Sequence, residues 1–512
     1  MGSQRLSYGG RAARSPGGRK LVMPADPSTP VLIGWQEVSR RDADPRDGKE
    51  AAELMAEAAL CALGDIPGAA VDWIGATAGL TRYADPGRLV ADRIGAAGAH
   101  TVLAHIGVMQ HTLVGEACRA VQSGAHRLAL VVGAEAHYRK VRSAAAGQEA
   151  AVTTQDEGVA PDESLRSPAF DEAMSHPAET AAGLAATPAY YALIDSFWRS
   201  RHGVSVEDHR DHLAQLYARF AAIAAGNPHA VRRRAYPAAE LRDPSPANPM
   251  VAFPYPKLMV TTWTVDQGCA LLITTEGYAD ELGVPRSARR YPVIAVESNH
   301  VVPVSGRTRL SQPASMRIIA EEIAHRTGLD TSQIDLLDLY SAFPAPVLIG
   351  AEALRVPPGR DLTLTGGMSF AGGPLNSYVL HAIAAAADRL GAPDTRTALI
   401  SCVSGLYSKQ GALVIAAAPG SAPFETVDVT DAVAEAEPGI PVVVDAAGDG
   451  LIVAYTVVFE SGQPERAIVV VDLADGRRTV ARSHDQDVMA KALSQDIIGV
   501  PVRVGDGLFA FA

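Results

Sequence analysis

The spacing of apolar residues changes repeatedly along this chain, and each change predicts an element. "AAELMAEAALCALGDIPGAAVDWIGATAG" (51–79) opens with apolar residues at helical intervals, breaks at Gly64-Asp65 and closes on a short apolar run. That pattern predicts an amphipathic helix, a stop and a buried strand. "SMRIIAEEIAHRTGLDTSQIDLLDLYSAF" (315–343) repeats the plan, with its stop at Gly328. Each unit is followed by a second helix–strand pair. In the first half these are "GVMQHTLVGEACRAVQSG" (107–124) and "RLALVVGAEA"; in the second they are "GGPLNSYVLHAIAAAADRL" and "TALISCVSGL". Strands alternating with helices of this length predict βαβ units and parallel sheets. Their recurrence within one chain predicts two similar α/β halves packed together.

Two stretches break the rhythm. Roughly 140–250 begins polar and loop-like, in "AGQEAAVTTQDEGVAPDESLRSP", then turns helical in "SVEDHRDHLAQLYARFAAIAAGNPHA". An insertion of this kind is expected to carry ligand contacts, because loops held on a rigid scaffold bear function. "VDQGCALLITTEGYADELGV" (265–284) returns to strand and helix. From about 421, after the linker "PGSAP", short β-rich runs alternate with Gly, Asp and Pro turns, interrupted by one helix in "DQDVMAKALSQDIIG". This predicts a small separate β-barrel or sandwich. The expected divisions are a leader over 1–28, a first half over 29–290 with its insertion, a second half over 291–420, and the extra domain over 421–512.

Composition narrows the function. At 512 residues the chain exceeds a single core, and 47% hydrophobic with 20% charged residues suits a globular protein. A net charge of −12 argues against a general nucleic-acid binder. The tail from 421 onward holds 15 acidic and 6 basic side chains, which excludes a phosphate-gripping barrel. Cys61, Cys118, Cys269 and Cys402 are scattered without a CxxC pair. They read as reduced thiols in a cytoplasmic protein, with no metal site. No run approaches the ~20 apolar residues of a membrane span. The first 28 residues, rich in Gly, Arg, Ser and Pro, lack the apolar core of a secretory signal, so a disordered leader is expected, with Met23 an alternative start.

Several motifs in order carry a resemblance: "AVQSGAHRLALVVGAEA", "PYPKLM…VDQGCALLIT", "DLYSAFPAP" and "GGMSFAGGPLNS". Over roughly 29–420 the chain resembles the thiolases, and most of all the sterol-carrier-type thiolase-like proteins of actinobacteria. Its tail resembles the additional C-terminal domain of their type 1 group. The resemblance implies an α/β thiolase fold: two similar βαβαβ-type halves in an αβαβα layering, an inserted loop domain and the small β-rich domain. It also implies a nucleophilic cysteine where this chain has Gly107. Cys118, eleven residues on and roughly 16 Å along a helix, reads as a core thiol. The family's histidine before an aromatic falls on Tyr340, in the run Tyr340-Ser341-Ala342-Phe343, and its Gly-His-Pro reads Gly372-Gly373-Pro374. The last family element, Cys-x-Gly, falls near Cys402, although the spacing fits Ser404 or Gly405 equally.

A glycine offers neither nucleophile nor proton acceptor, so these departures predict loss of the ordinary Cys–His chemistry. What is expected to remain is a site for CoA or acyl-CoA, lined by Gly107, His111, Tyr340, Ser341, Phe343, Gly372, Gly373 and Ser404, with no covalently bound cofactor. Helix starts near Gly107 and Gly373 would aim backbone N–H groups into it, and the glycines of "GGMSFAGGP" would let a pantetheine approach the backbone. The leading expectation is a thioester-binding protein auxiliary to lipid or acyl-CoA metabolism. A second is an acyltransferase with a displaced nucleophile, Cys402 beside Lys409 or else Ser341. A third is a non-catalytic subunit whose acidic C-terminal domain docks on a partner enzyme. Monomer and homodimer are both left open.

Overall fold

The computed structural model describes residues 26–42, 44, 46–64, 66–167 and 174–512. The leader expected over 1–28, with Met23, therefore lies outside the described residues up to position 25. Its last residues are folded, because the Pro27 carbonyl accepts a hydrogen bond from the Gly277 N–H at 2.9 Å.

The first half forms a six-stranded sheet in the order Pro30–Arg40, Asp266–Thr275, Leu128–Ala136, Trp73–Thr77, His100–Ala104 and Glu163–Leu165. The last four are parallel, as the βαβ pattern predicts. Asp266–Thr275 instead runs antiparallel to both its neighbours, so the sheet is mixed. Its sequence, DQGCALLITT, is apolar along most of its length and almost wholly buried, and such a run carries no information about direction. The helix Ala51–Leu63 covers the outer face with Leu54, Met55, Ala58, Ala59 and Ala62. Small alanines let it settle close to the strands, and at Gly268 an added Cβ would lie 3.0 Å from the Leu54 backbone.

The second half builds a five-stranded sheet in the order Leu336–Asp338, Thr397–Ser404, Lys409–Ala416, Tyr291–Ser298 and Glu425–Asp428. Thr397–Ser404 and Lys409–Ala416 pair antiparallel, so this sheet is mixed too. Glu425–Asp428 pairs parallel with Tyr291–Ser298, so the second half extends beyond the boundary expected at 420. Two inner helices, Gln110–Gln122 and Tyr378–Arg389, lie between the sheets and touch strands of both. The first buries Leu113, Val114, Ala117, Cys118 and Val121 completely. Each such Leu or Val removes surface worth roughly 2 kcal/mol from water. Cys118 is thus part of the core, its thiol pushed up by burial. With outer helices such as Pro313–Thr327 on the far side, the layers run αβαβα.

The tail closes into a five-stranded barrel. Gly448–Glu460 pairs with Gln463–Leu473 and with Pro501–Gly505, and the circuit is completed through Arg478–Ser483 and Leu508–Phe511. A short hairpin of the insertion, Met250–Ala252 with Tyr255–Pro256, joins the barrel through Val458 and Ala252. Among the described residues, no helix is long and apolar enough to cross a membrane.

Candidate functional site

The two inner helices bring their starts together. The first begins at Gln110, three residues later than its apolar pattern suggests, because Gly107 adopts a φ of +104° and the turn consumes Val108 and Met109. Gln110 Nε2 donates to Asn376 Oδ1, just before the second inner helix, at 2.8 Å. Gln110 Oε1 accepts from Cys402 Sγ at 3.1 Å. Backbone N–H groups of Gln110 and His111 also face this sulfur. The junction therefore places one thiol at a helix start, where the dipole favours a thiolate. Burial outweighs that pull and pushes the Cys402 thiol up to about 12, so at neutral pH it carries its proton.

The other expected residues divide between this junction and the core. Tyr340 stands edge-on to Tyr378, with ring centroids 6.4 Å apart, and its backbone N–H donates to Ser401 Oγ at 2.8 Å. Burial holds its phenol far above the ordinary value, so it is no base. Ser341 Oγ is buried and accepts from the Met368 N–H at 3.1 Å, a loop-holding role rather than a nucleophilic one. Phe343 stacks on Tyr191 at 4.4 Å inside the core. His111 is also sealed in. Its ring lies so close to the strand Lys409–Ala416 that a Cβ on Gly411 would meet His111 Cε1 at 2.2 Å. Its Nε2 lies 3.6 Å from Glu297, while burial holds its pKa down. Ser404 sits opposite Lys409 in the hairpin register.

The glycine-rich loop serves the chain itself. A Cβ at Gly373 would fall 2.3 Å from Thr261 Cγ2, and one at Gly372, where φ is +113°, would fall 2.4 Å from Gln267 Oε1. At Gly366 and Gly367 the long insertion helix Val206–Gly226 intervenes, with Ala224 Cβ at 2.4 Å and Phe220 Cδ2 at 2.6 Å. On the side where a Cβ would point, the space at these glycines is taken by protein atoms.

Beside this loop lies a polar surface that the sequence pattern did not single out. Val231 and Arg232 pair by backbone with Ala371 and Phe370. Arg41 donates to the Val231 carbonyl at 2.8 Å and lies 4.9 Å from the Tyr138 ring centre. Arg232 is partly buried next to Arg41, and burial together with that second charge lowers its pKa. Arg232 Nη1 has no hydrogen-bond acceptor among the described residues. Trp263, 52% exposed, stacks on the His137 ring at 4.4 Å, on a segment whose Thr262 N–H donates to the Met368 carbonyl. The signal available in the sequence was the arginine run at 232–234, next to Tyr236; Arg41 lies 190 residues from Val231, the residue before that run.

Residues 428–507 match the family described as the thiolase-like protein type 1 additional C-terminal domain. The fold of the chain is similar to that of a type 1 thiolase-like protein. A crystal structure of a monomeric SCP2-thiolase like protein type 1 from Mycobacterium smegmatis is 28% identical, covers 95% of this chain and 100% of its own, and superposes with a TM-score of 0.78. The human mitochondrial 3-ketoacyl-CoA thiolase is 16% identical over 76% of this chain and all of its own, with a TM-score of 0.54. An acetyl-CoA acetyltransferase from Syntrophomonas wolfei is 15% identical over 77% of this chain and all of its own, also at 0.54. These last two likenesses are of fold. No curated protein matches the sequence. In this chain the junction of inner helices holds glutamine, asparagine and a protonated cysteine.

Proposed function

We propose that this chain binds CoA or its thioesters and performs neither thiolysis nor Claisen condensation, serving as an auxiliary protein in acyl-CoA metabolism. The observation that carries the loss of chemistry is the sealed junction. Cys402 is fully buried with its proton on, and the space an imidazole would need at Gly373 is occupied by Thr261. Thioester exchange needs a thiolate and a base to make it, and the junction supplies neither.

The binding half of the reading rests on the surface beside the glycine loop. Arg41 and Arg232 press two positive charges together, and one guanidinium nitrogen is buried without an acceptor among the described residues. Such a nitrogen is costly unless an anion completes it. Trp263 offers a flat exposed ring nearby, of the kind on which a base stacks. A phosphorylated nucleotide, the invariant end of every CoA ester, matches both features. Thermal denaturation tests this: saturating CoA raises Tm, because a ligand selective for the folded state stabilises it. Intact-mass measurement after incubation with acetyl-CoA shows no acyl adduct. An adduct on Cys402, or no Tm response to any CoA ester, overturns the corresponding half of the reading.

A further inference from the structure

A cleft of about 730 Å³ opens beside the Gly107 turn, and the residues lining it include Lys409, Thr112, Ser167, Glu297 and Arg166. Lys409 is its distinctive member. The residue is only 1% exposed, yet it borders the cleft. Its ammonium donates to two neutral oxygens, the Gly107 carbonyl and Ser167 Oγ, the latter at 2.6 Å. Among the described residues it forms no ion pair. The charged or titratable groups that face it are Glu297 on Tyr291–Ser298, Asp428 on Glu425–Asp428, Cys402 on Thr397–Ser404 and His111 on the first inner helix.

Those acids are already engaged elsewhere. Glu297 accepts from Thr112 Oγ1 and from Asn299 Nδ2, and lies against His111. Asp428 accepts from the backbone N–H and the hydroxyl of Thr430. A lysine enclosed in this way, with neutral acceptors rather than a paired carboxylate, gives up its proton more readily than a surface lysine, and burial lowers its pKa. A surface lysine lacks this property, because water keeps its ammonium charged.

We infer that Lys409 is an amine nucleophile that captures aldehydes or ketones entering this cleft as a reversible Schiff base. The ammonium first gives a proton to water. The freed nitrogen lone pair then bonds to the carbonyl carbon, and the carbonyl oxygen takes a proton to give a carbinolamine. Loss of that hydroxyl with the remaining nitrogen hydrogen, as water, leaves the C=N bond. Nothing is oxidised or reduced, and hydrolysis returns both partners. Ser167 Oγ, hydrogen-bonded to the nitrogen, is placed to pass protons in both directions. The inference does not depend on CoA binding, since it uses a different cleft and different residues.

Acetaldehyde with borohydride trapping tests it. The full chain at neutral pH receives low acetaldehyde, then sodium borohydride, which reduces any imine to a stable secondary amine carrying one ethyl group. Peptide mapping is expected to find Lys409 labelled at least tenfold more than Lys140, Lys257 or Lys491. Lys409→Arg, which keeps the charge and a donor toward the Gly107 carbonyl, is expected to lose that label while keeping a cooperative melt. Should that variant fail to fold, site-resolved labelling of the unaltered chain decides alone. Equal labelling of all lysines, or labelling that spares Lys409, overturns the inference.

Discussion

The junction of the two inner helices and the cleft at Lys409 share one turn, at Gly107, and treat buried polar groups in opposite ways. At the junction the thiol and the amide that meets it are paired inside the protein, Cys402 donating to Gln110 and Gln110 to Asn376, while Asn376 Nδ2 is buried with no acceptor among the described residues. At the cleft a cation is held by neutral oxygens at the edge of open space. The difference teaches that burial alone does not silence a side chain. A buried thiol paired with a neighbouring amide and closed off from any cavity is structural, whereas a buried amine bordering a cavity keeps a use for its remaining capacity.

The sharpest way to break this comparison is to try to reopen the junction. Gly373→His, alone or with Gly107→Cys, is expected to cost about 2 kcal/mol or more in denaturant unfolding, because its Cβ would fall 2.3 Å from Thr261 Cγ2. Recovery of thiolase turnover without loss of stability would show that the junction is vacated rather than rebuilt.

A pH series probes a third buried polar group on the same scale. Glu135, at the end of Leu128–Ala136, is pushed up to about 7 by burial. A carboxyl whose folded pKa is raised binds its proton more tightly when folded. Its contribution is therefore fully present below about pH 4.5 and is lost as pH rises through about 7. The shift corresponds to roughly 3 kcal/mol at most. Stability measured from pH 5 to pH 8 is expected to fall, and Glu135→Gln to flatten that fall. An unchanged slope would move the cause to Asp266 and Asp338, which burial raises in the same direction to about 6.

Smaller effects sharpen the picture further. Arg232→Ala is expected to remove most of any CoA-induced rise in Tm while leaving the unliganded melt within about 1 kcal/mol, since the residue is only partly buried and its side chain is short of partners. Cys402→Ala is expected to cost only about 1 kcal/mol, through the acceptor it leaves on Gln110. In the folded protein a thiol reagent is expected to modify Cys61, which is exposed, and to spare Cys402.

How much of this was legible in the sequence follows from how local each signal is. The helix–strand units showed because their periodicity is written within a dozen residues, and the stop at Gly328 is a left-handed C-cap with φ +71°. The antiparallel course of Asp266–Thr275 did not show, since an almost wholly buried strand with an apolar centre reads the same in either direction. Gly107 and Gly373 were recognisable as departures, yet what fills the space beside Gly373, Thr261, lies over a hundred residues away. The Gln110–Asn376 contact spans 266 positions and leaves no mark on either neighbourhood. Lys409 drew notice only as a companion to Cys402; its own surroundings come from the turn at Gly107 and from Ser167.

The barrel's closure has a consequence for how the molecule can be cut. Arg478 reaches the Arg307 carbonyl, Arg466 the Gly183 carbonyl, and Tyr455 N–H the Ser196 hydroxyl, so the tail is stitched to the second half and to the insertion at separate places. Phe253 N–H also donates to the Val457 carbonyl. Removing the last eighty-odd residues would leave these oxygens and the insertion's hairpin without companions. The appended piece behaves as a keystone, and a shortened chain is expected to aggregate rather than yield a smaller working protein.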